Sequence, residues 1–145
     1  MQIHGYADAS FKTQDRKTRS VEERILFLTN GKKASPILWK SKKISRVADS
    51  TKTEETLAMD KASDDAIFIA RMVHQIYTGR KTMEQIPVYK FTDSRPLHDS
   101  IYSTKQVERK TMPHVIQIMK DAVSRGEVEK FMGILLIRKT RLLMY

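Results

Sequence analysis

The stretch that most restricts the fold begins at Thr51. Leu57, Ala58, Ala62, Ala66, Ile69, Ala70, Val73 and Tyr77 recur at intervals of three and four, the spacing of one helical face. Thr51 and Glu54 have capping-box form. Gly79, followed by Arg80 and Lys81, supplies a stop. A helix of this length is long for a globular protein, and its apolar face needs a surface to cover.

The preceding residues supply that surface. "QIHGYADAS" alternates as a strand, with Asp8 near its end. "FKTQDRKTRSVEE" is polar and reads as a loop. "RILFLT" and "SPILWKS" flank Asn30-Gly31, the strongest hairpin signal in the chain. "KKISRVAD" is a basic connection. After the helix, "IPVYKF" reads as a fourth strand that stops at Asp93, and "RPLHDSIY" as a short helix. "STKQVERK" is polar. "TMPHVIQIMKDAVSRG" reads as another helix, with Thr111 as cap, Gly126 as stop and Pro113 tolerable in the first turn. "EVEKFMGILLI" is a fifth strand, and "RKTRLLMY" has no assigned role. The order βββαβ, then helices, then β predicts an α/β fold: a mixed five-stranded sheet with flanking helices. A right-handed crossover returns strand four parallel to strand one. If those strands are neighbours, Asp8 and Asp93 share one end of the sheet.

The bulk properties are compatible with this. The 145 residues suit one domain, and an apolar fraction of 40% is ordinary for a globular chain. No run approaches the roughly 20 apolar residues of a membrane span. The chain has no Cys, which excludes disulfides and thiolate metal sites. Its start lacks the order of a secretory signal, so the expected location is intracellular, cytoplasm or nucleus. The net charge of +10 and pI near 9.9 favour a polyanion partner, nucleic acid before anionic membrane. A basic piece of a larger, more balanced protein would look the same.

A third acid can reach the same sheet end. Glu54 is accounted for by the cap; Glu55 begins "ETLAM", one turn into the long helix. Three converging carboxylates repel one another unless a cation neutralises them. An all-oxygen set suits Mg²⁺ or Mn²⁺. The plain alternative has Asp8 and Asp93 capping strand ends and Glu55 near a positive helix terminus. Lys32, Lys33, Lys40, Lys42, Lys43, Arg46, Lys105, Arg109 and Lys110 are the basic groups placed to meet phosphates, or else solvated surface charge. Ser94 is a backbone contact for nucleic acid or a turn residue. Trp39 reads as core or sheet packing, with base stacking as the alternative. His4, His74, His98 and His114 form no metal spacing.

Four strings then carry a resemblance. "GYADASFKT", "ILWKSKKISRV", "STKTEETLAM" and "TDSRPLHDSIYSTKQVERKT" occur in that order. They resemble the ribonuclease H domain of copia-type retrotransposon Pol polyproteins, over about Gln2 to Phe131. The resemblance implies a ribonuclease-H-like fold. It also implies hydrolysis of the RNA strand of an RNA–DNA hybrid with two divalent ions, Mg²⁺ or Mn²⁺. Asp8, Glu55 and Asp93 fall on three of that family's catalytic, metal-binding acids. A reverse transcriptase domain in the same polyprotein is an implied former partner, and no membrane is implied.

Three departures accompany the resemblance. Glu22-Glu23 stand where small residues are usual, harmless on an edge strand or weakening to the second strand. Pro113 stands where a helix-compatible residue is usual. After Glu129 there is no Asp or Glu, so the family's fourth active-site carboxylate is missing. The expectation is therefore a domain over 1–131 with a divergent tail over 132–145, catalytically impaired. The alternative is a non-catalytic nucleic-acid-binding or scaffold relic.

Overall fold

A computed structural model describes residues 1–14, 17–43, 51–103, 112–137 and 141–144. The elements are β1 (Gln2–Gln14), β2 (Lys17–Thr29), β3 (Ala34–Lys43), α1 (Thr51–Thr78), β4 (Val88–Thr92), α2 (Arg95–Tyr102), α3 (Met112–Ser124), β5 (Lys130–Ile137) and β6 (Arg141–Met144). The sheet order is β3-β2-β1-β4-β5-β6. β1 is antiparallel to β2 and parallel to β4, so the crossover through α1 makes strands one and four neighbours, as the element order predicts.

Two segments differ from the sequence reading. Phe11–Glu23 was expected as a loop, but β1 and β2 run through it, paired as far as Gln14 and Lys17. Polar residues carry no hydrophobic period, yet two such strands still satisfy each other's backbone N–H and C=O groups. The tail segment Arg141–Met144 pairs antiparallel with β5 and adds a sixth strand to the five expected. The boundary expected after Phe131 falls inside β5.

α1 forms where its periodicity places it. Ala58, Met59, Ala62, Ser63, Ala66 and Ala70 are buried along one side. Their small side chains let the helix lie close to the sheet, where Met59, Ala66 and Ala70 join Ile3, Leu26 and Val88 in one core. Gly79 ends the helix at φ 66° and donates its N–H to Gln75 O at 2.8 Å. The expected caps at Thr51–Glu54 and Thr111 involve side chains outside the described residues. The Asn30-Gly31 turn closes β2 to β3 through a four-residue connection. Gly31 sits at φ 88°, and Asn30 Oδ1 accepts from the N–H groups of Lys32 and Lys33 at 3.0 and 2.9 Å.

Strand alternation sends Ile3, Gly5, Ala7 and Ala9 of β1 toward α1, and Glu22, Arg24 and Leu26 of β2 are their register partners. Glu22 is therefore not on an edge strand. It lies on β2, between β1 and β3, and is only 3% exposed. Arg24 at 3.1 Å and Lys61 of α1 at 3.2 Å neutralise it. Arg24 Nε also lies 2.8 Å from Asp65 Oδ2, a charge contact off the line of the N–H bond.

Gly5 is a close-approach position. A Cβ there would lie 2.5 Å from Lys90 Nζ and 2.9 Å from Leu26 Cδ2. Lys90 is fully buried, so its chain has nowhere to retreat. Gly5→Ala is expected to destabilise the fold by about 1–3 kcal/mol through overpacking. Urea denaturation checks this, and an unchanged midpoint would show that the strands simply part to admit the methyl group.

The other sheet face carries His4, Tyr6, Phe27, Tyr89 and Phe91. Tyr6 and Phe91 stack with centroids 4.8 Å apart, and His4 meets Phe91 at 5.1 Å. Burial lowers the His4 pKa. No helix among the described residues is long and apolar enough to cross a membrane.

Candidate active site

Asp8, Glu55 and Asp93 come from β1, α1 and the end of β4. Each offers a carboxylate oxygen, and these oxygens all lie within 4.8 Å of one another. Three features of local folding produce this. The β1–β4 pairing runs from Ile3↔Val88 to Tyr6↔Phe91, so both strands head toward the same sheet end. Asp8 lies just past that register, and its Oδ1 accepts the Ala9 backbone N–H at 2.8 Å. Asp93 follows β4 in the turn to α2, where Ser94 N donates to Thr92 Oγ1 at 3.1 Å. α1 starts above this end and brings Glu55 down one turn from its N-terminus.

Asp8 and Asp93 are exposed and Glu55 is half-buried. Burial first, and the Asp8 carboxylate second, push the Asp93 pKa above the ordinary range; a bond to its own backbone opposes them. Such a cluster of hard oxygen donors under mutual repulsion fits a divalent oxygen-seeking cation.

Asp8 and Asp93 open into a cleft of about 570 Å³. Strand register explains its floor. Asp8, Glu23 and Ser41 form one cross-strand row, with Ser41 Oγ donating to Glu23 Oε1 at 3.4 Å. Phe91, Tyr6, Ile25 and Trp39 form the next row. The cleft therefore runs from the acids over aromatic rings to the edge strand.

The remaining sequence-predicted residues divide. Lys40, Lys42 and Lys43 are exposed on β3, and Lys40 lines the cleft. Ser94 is buried, and its hydroxyl accepts Leu97 N–H at 3.3 Å as the N-cap of α2. That accounts for the turn role. Arg46, Lys105, Arg109 and Lys110 lie outside the described residues. His74 sits 3.5 Å from Glu84, and His98 3.5 Å from Asp99.

Trp39 overturns its expected place in core or sheet packing. It is 72% exposed, because it lies on the sheet face away from α1 and on β3, which has no further strand beyond it among the described residues. Tyr6 and Phe91 also line the cleft and drew no functional reading from the sequence. A signal was present for Trp39: an aromatic set among Lys40, Lys42 and Lys43 is poorly suited to a buried strand.

No protein-family model and no curated protein sequence matches the chain. Solved structures do. The ribonuclease H1 of Halobacterium salinarum is 9% identical, covers 96% of this chain and 87% of its own, and gives a TM-score of 0.59. LC11-RNase H1, isolated from compost by a metagenomic approach, is 12% identical over 95% of this chain and 86% of its own, with a TM-score of 0.65. A prototype foamy virus protease–reverse transcriptase mutant is 14% identical over 97% of this chain and 18% of its own, with a TM-score of 0.68. From the sheet order and these likenesses, the chain has the ribonuclease-H-like α/β fold.

Proposed function

We propose that this chain is a retrotransposon-derived ribonuclease H domain that hydrolyses the RNA strand of an RNA–DNA hybrid, impaired by loss of one carboxylate. The observation that carries the reading is the convergence of Asp8, Glu55 and Asp93 at one sheet end, the same trio on which the copia-type resemblance falls. These three residues would hold two Mg²⁺ or Mn²⁺ ions. Bound there, the ions would supply Lewis-acid activation of water and stabilisation of the leaving oxygen. The protein's own contribution is positional. The Ala9 N–H fixes one Asp8 oxygen, the capped start of α2 fixes the Asp93 turn, and α1 presents Glu55. Lys40, Lys42 and Lys43 raise the local concentration of phosphate. A reverse transcriptase domain in the same polyprotein, within the cytoplasm or nucleus, completes the proposed setting.

A second reading has its own observation. No Asp or Glu follows Glu129, so a relic that binds nucleic acid without cutting it is the alternative. Incubation of the full chain with a labelled RNA–DNA hybrid and Mg²⁺ separates the two. Slow, Mg²⁺-dependent loss of the RNA strand is expected. Tight binding with no cleavage, and no thermal stabilisation by Mg²⁺, would leave only the scaffold.

A further inference from the structure

Trp39 presents most of a large apolar side chain to water at the open end of the acidic cleft. Such exposure costs hydration free energy, and nothing in the nuclease chemistry above requires it. The surroundings indicate what would cover it. Trp39, Ser41 and Lys43 share one face of β3 by strand alternation, and Lys40 lines the same cleft. An exposed indole ring flanked by cations suits a nucleic acid strand: the ring takes a base and the ammonium groups take phosphates. Asp8 and Trp39 are two strands and one cross-strand row apart, about 12 Å at ordinary sheet spacings, or a few nucleotides.

We propose that Trp39 is a stacking site for an unpaired nucleobase, on a strand whose phosphates meet Lys40 and Lys43. Bases inside a duplex already stack on each other and offer no free face, so the partner is a single-stranded extension. The inference rests on the nucleic-acid reading and deepens it: the preferred substrate is a hybrid that continues into an unpaired strand, not a blunt one.

Trp39 is the sole tryptophan of the chain, so its fluorescence reports on this site alone. The full-length protein is titrated without divalent ions, at low salt, with three probes: a blunt RNA–DNA hybrid, the same hybrid with a single-stranded DNA extension, and that extension made abasic. Quenching by the base-bearing extension, and little by the other two, is expected. Anisotropy of the labelled extended hybrid should show Trp39→Ala binding roughly 5- to 150-fold more weakly, with Trp39→Phe recovering most of the loss. Equal quenching by blunt or abasic probes would overturn the site. So would an unchanged affinity in folded Trp39→Ala. A buried, blue-shifted emission from a dimer free of nucleic acid would also overturn it, because a second copy would then be covering Trp39. Cleavage of the blunt hybrid without quenching by the extension removes the stacking site and leaves the nuclease reading standing. Quenching without cleavage does the reverse.

Discussion

Asp8→Asn is expected to lower hybrid cleavage on the order of 10²- to 10³-fold while slightly stabilising the chain in metal-free buffer. The two effects share one cause. Carboxylates whose oxygens lie within 4.8 Å are held together by the fold rather than by attraction. Without a cation Asp8 and Asp93 repel each other, and Asp8 is one reason the Asp93 pKa is raised. Removing one charge relieves up to about 1 kcal/mol after solvent screening. With a cation the sign reverses. A ligand that binds only the native state stabilises by RT ln(1 + [L]/Kd), about 2.7 kcal/mol at a hundred times Kd. The wild type should therefore melt higher in Mg²⁺, and Asp8→Asn should respond weakly or not at all. The rate loss follows from losing several kcal/mol of charge stabilisation, at about tenfold per 1.36 kcal/mol. Thermal melts with and without Mg²⁺, beside the cleavage assay, test both halves. Equal Mg²⁺ shifts in the two proteins would show that Asp8 is not a ligand.

Lys90→Met is the second large effect, and it concerns folding rather than catalysis. Lys90 points from β4 toward α1, fully buried, and its Nζ has no hydrogen-bond partner among the described residues. Desolvation lowers its pKa to about 7; Asp65 and Asp64 oppose the shift, and Arg24 adds to it. Arg24 and Lys61 pair with Glu22 and Asp65, so the attraction left for a protonated Lys90 does not offset its desolvation. The direction with pH follows from linkage. Below pH 7 both states carry the proton, and the native state bears the full cost of a buried charge. Above it, up to the ordinary lysine range near 10.5, the unfolded chain binds a proton that the native state has released. Stability must rise with pH across this window, by at most about 1.4 kcal/mol per unit. Burial raises the pKa values of Tyr6 and Tyr102 from the ordinary tyrosine value of 10.0. Urea unfolding at pH 7 and pH 9 should show the wild type gaining stability and Lys90→Met staying nearly flat. At pH 7 the variant should be more stable by about 1–4 kcal/mol, as when other buried charges are replaced by apolar groups of similar shape. Parallel pH slopes in the two proteins would mean that Lys90 is paired or hydrated in solution.

Much of the arrangement around the acids was legible before any coordinates. A helix with small residues on one face, three strand candidates ahead of it and one behind, allows few topologies once crossovers are right-handed. That rule brought Asp8 and Asp93 to one end, and Glu55 followed from its place one turn into α1. The edges were less legible. The polar residues from Phe11 to Glu23 gave no period, so the extension of β1 and β2 went unseen. "RLLM" was too short to read as β6.

The order of elements and the meeting of three acids are properties of the sequence, because strand period, helix period and crossover handedness are local rules acting on local patterns. Which side of each strand meets water is not local. Trp39 and Lys90 both sit in alternating strands, yet Trp39 stands open and Lys90 is enclosed. Sheet order and sheet face together decide this: β3 lies at an edge and Trp39 on the face away from α1, whereas β4 lies between β1 and β5 and Lys90 faces α1. Burial is set by neighbours distant in the chain, and no pattern within one strand records them.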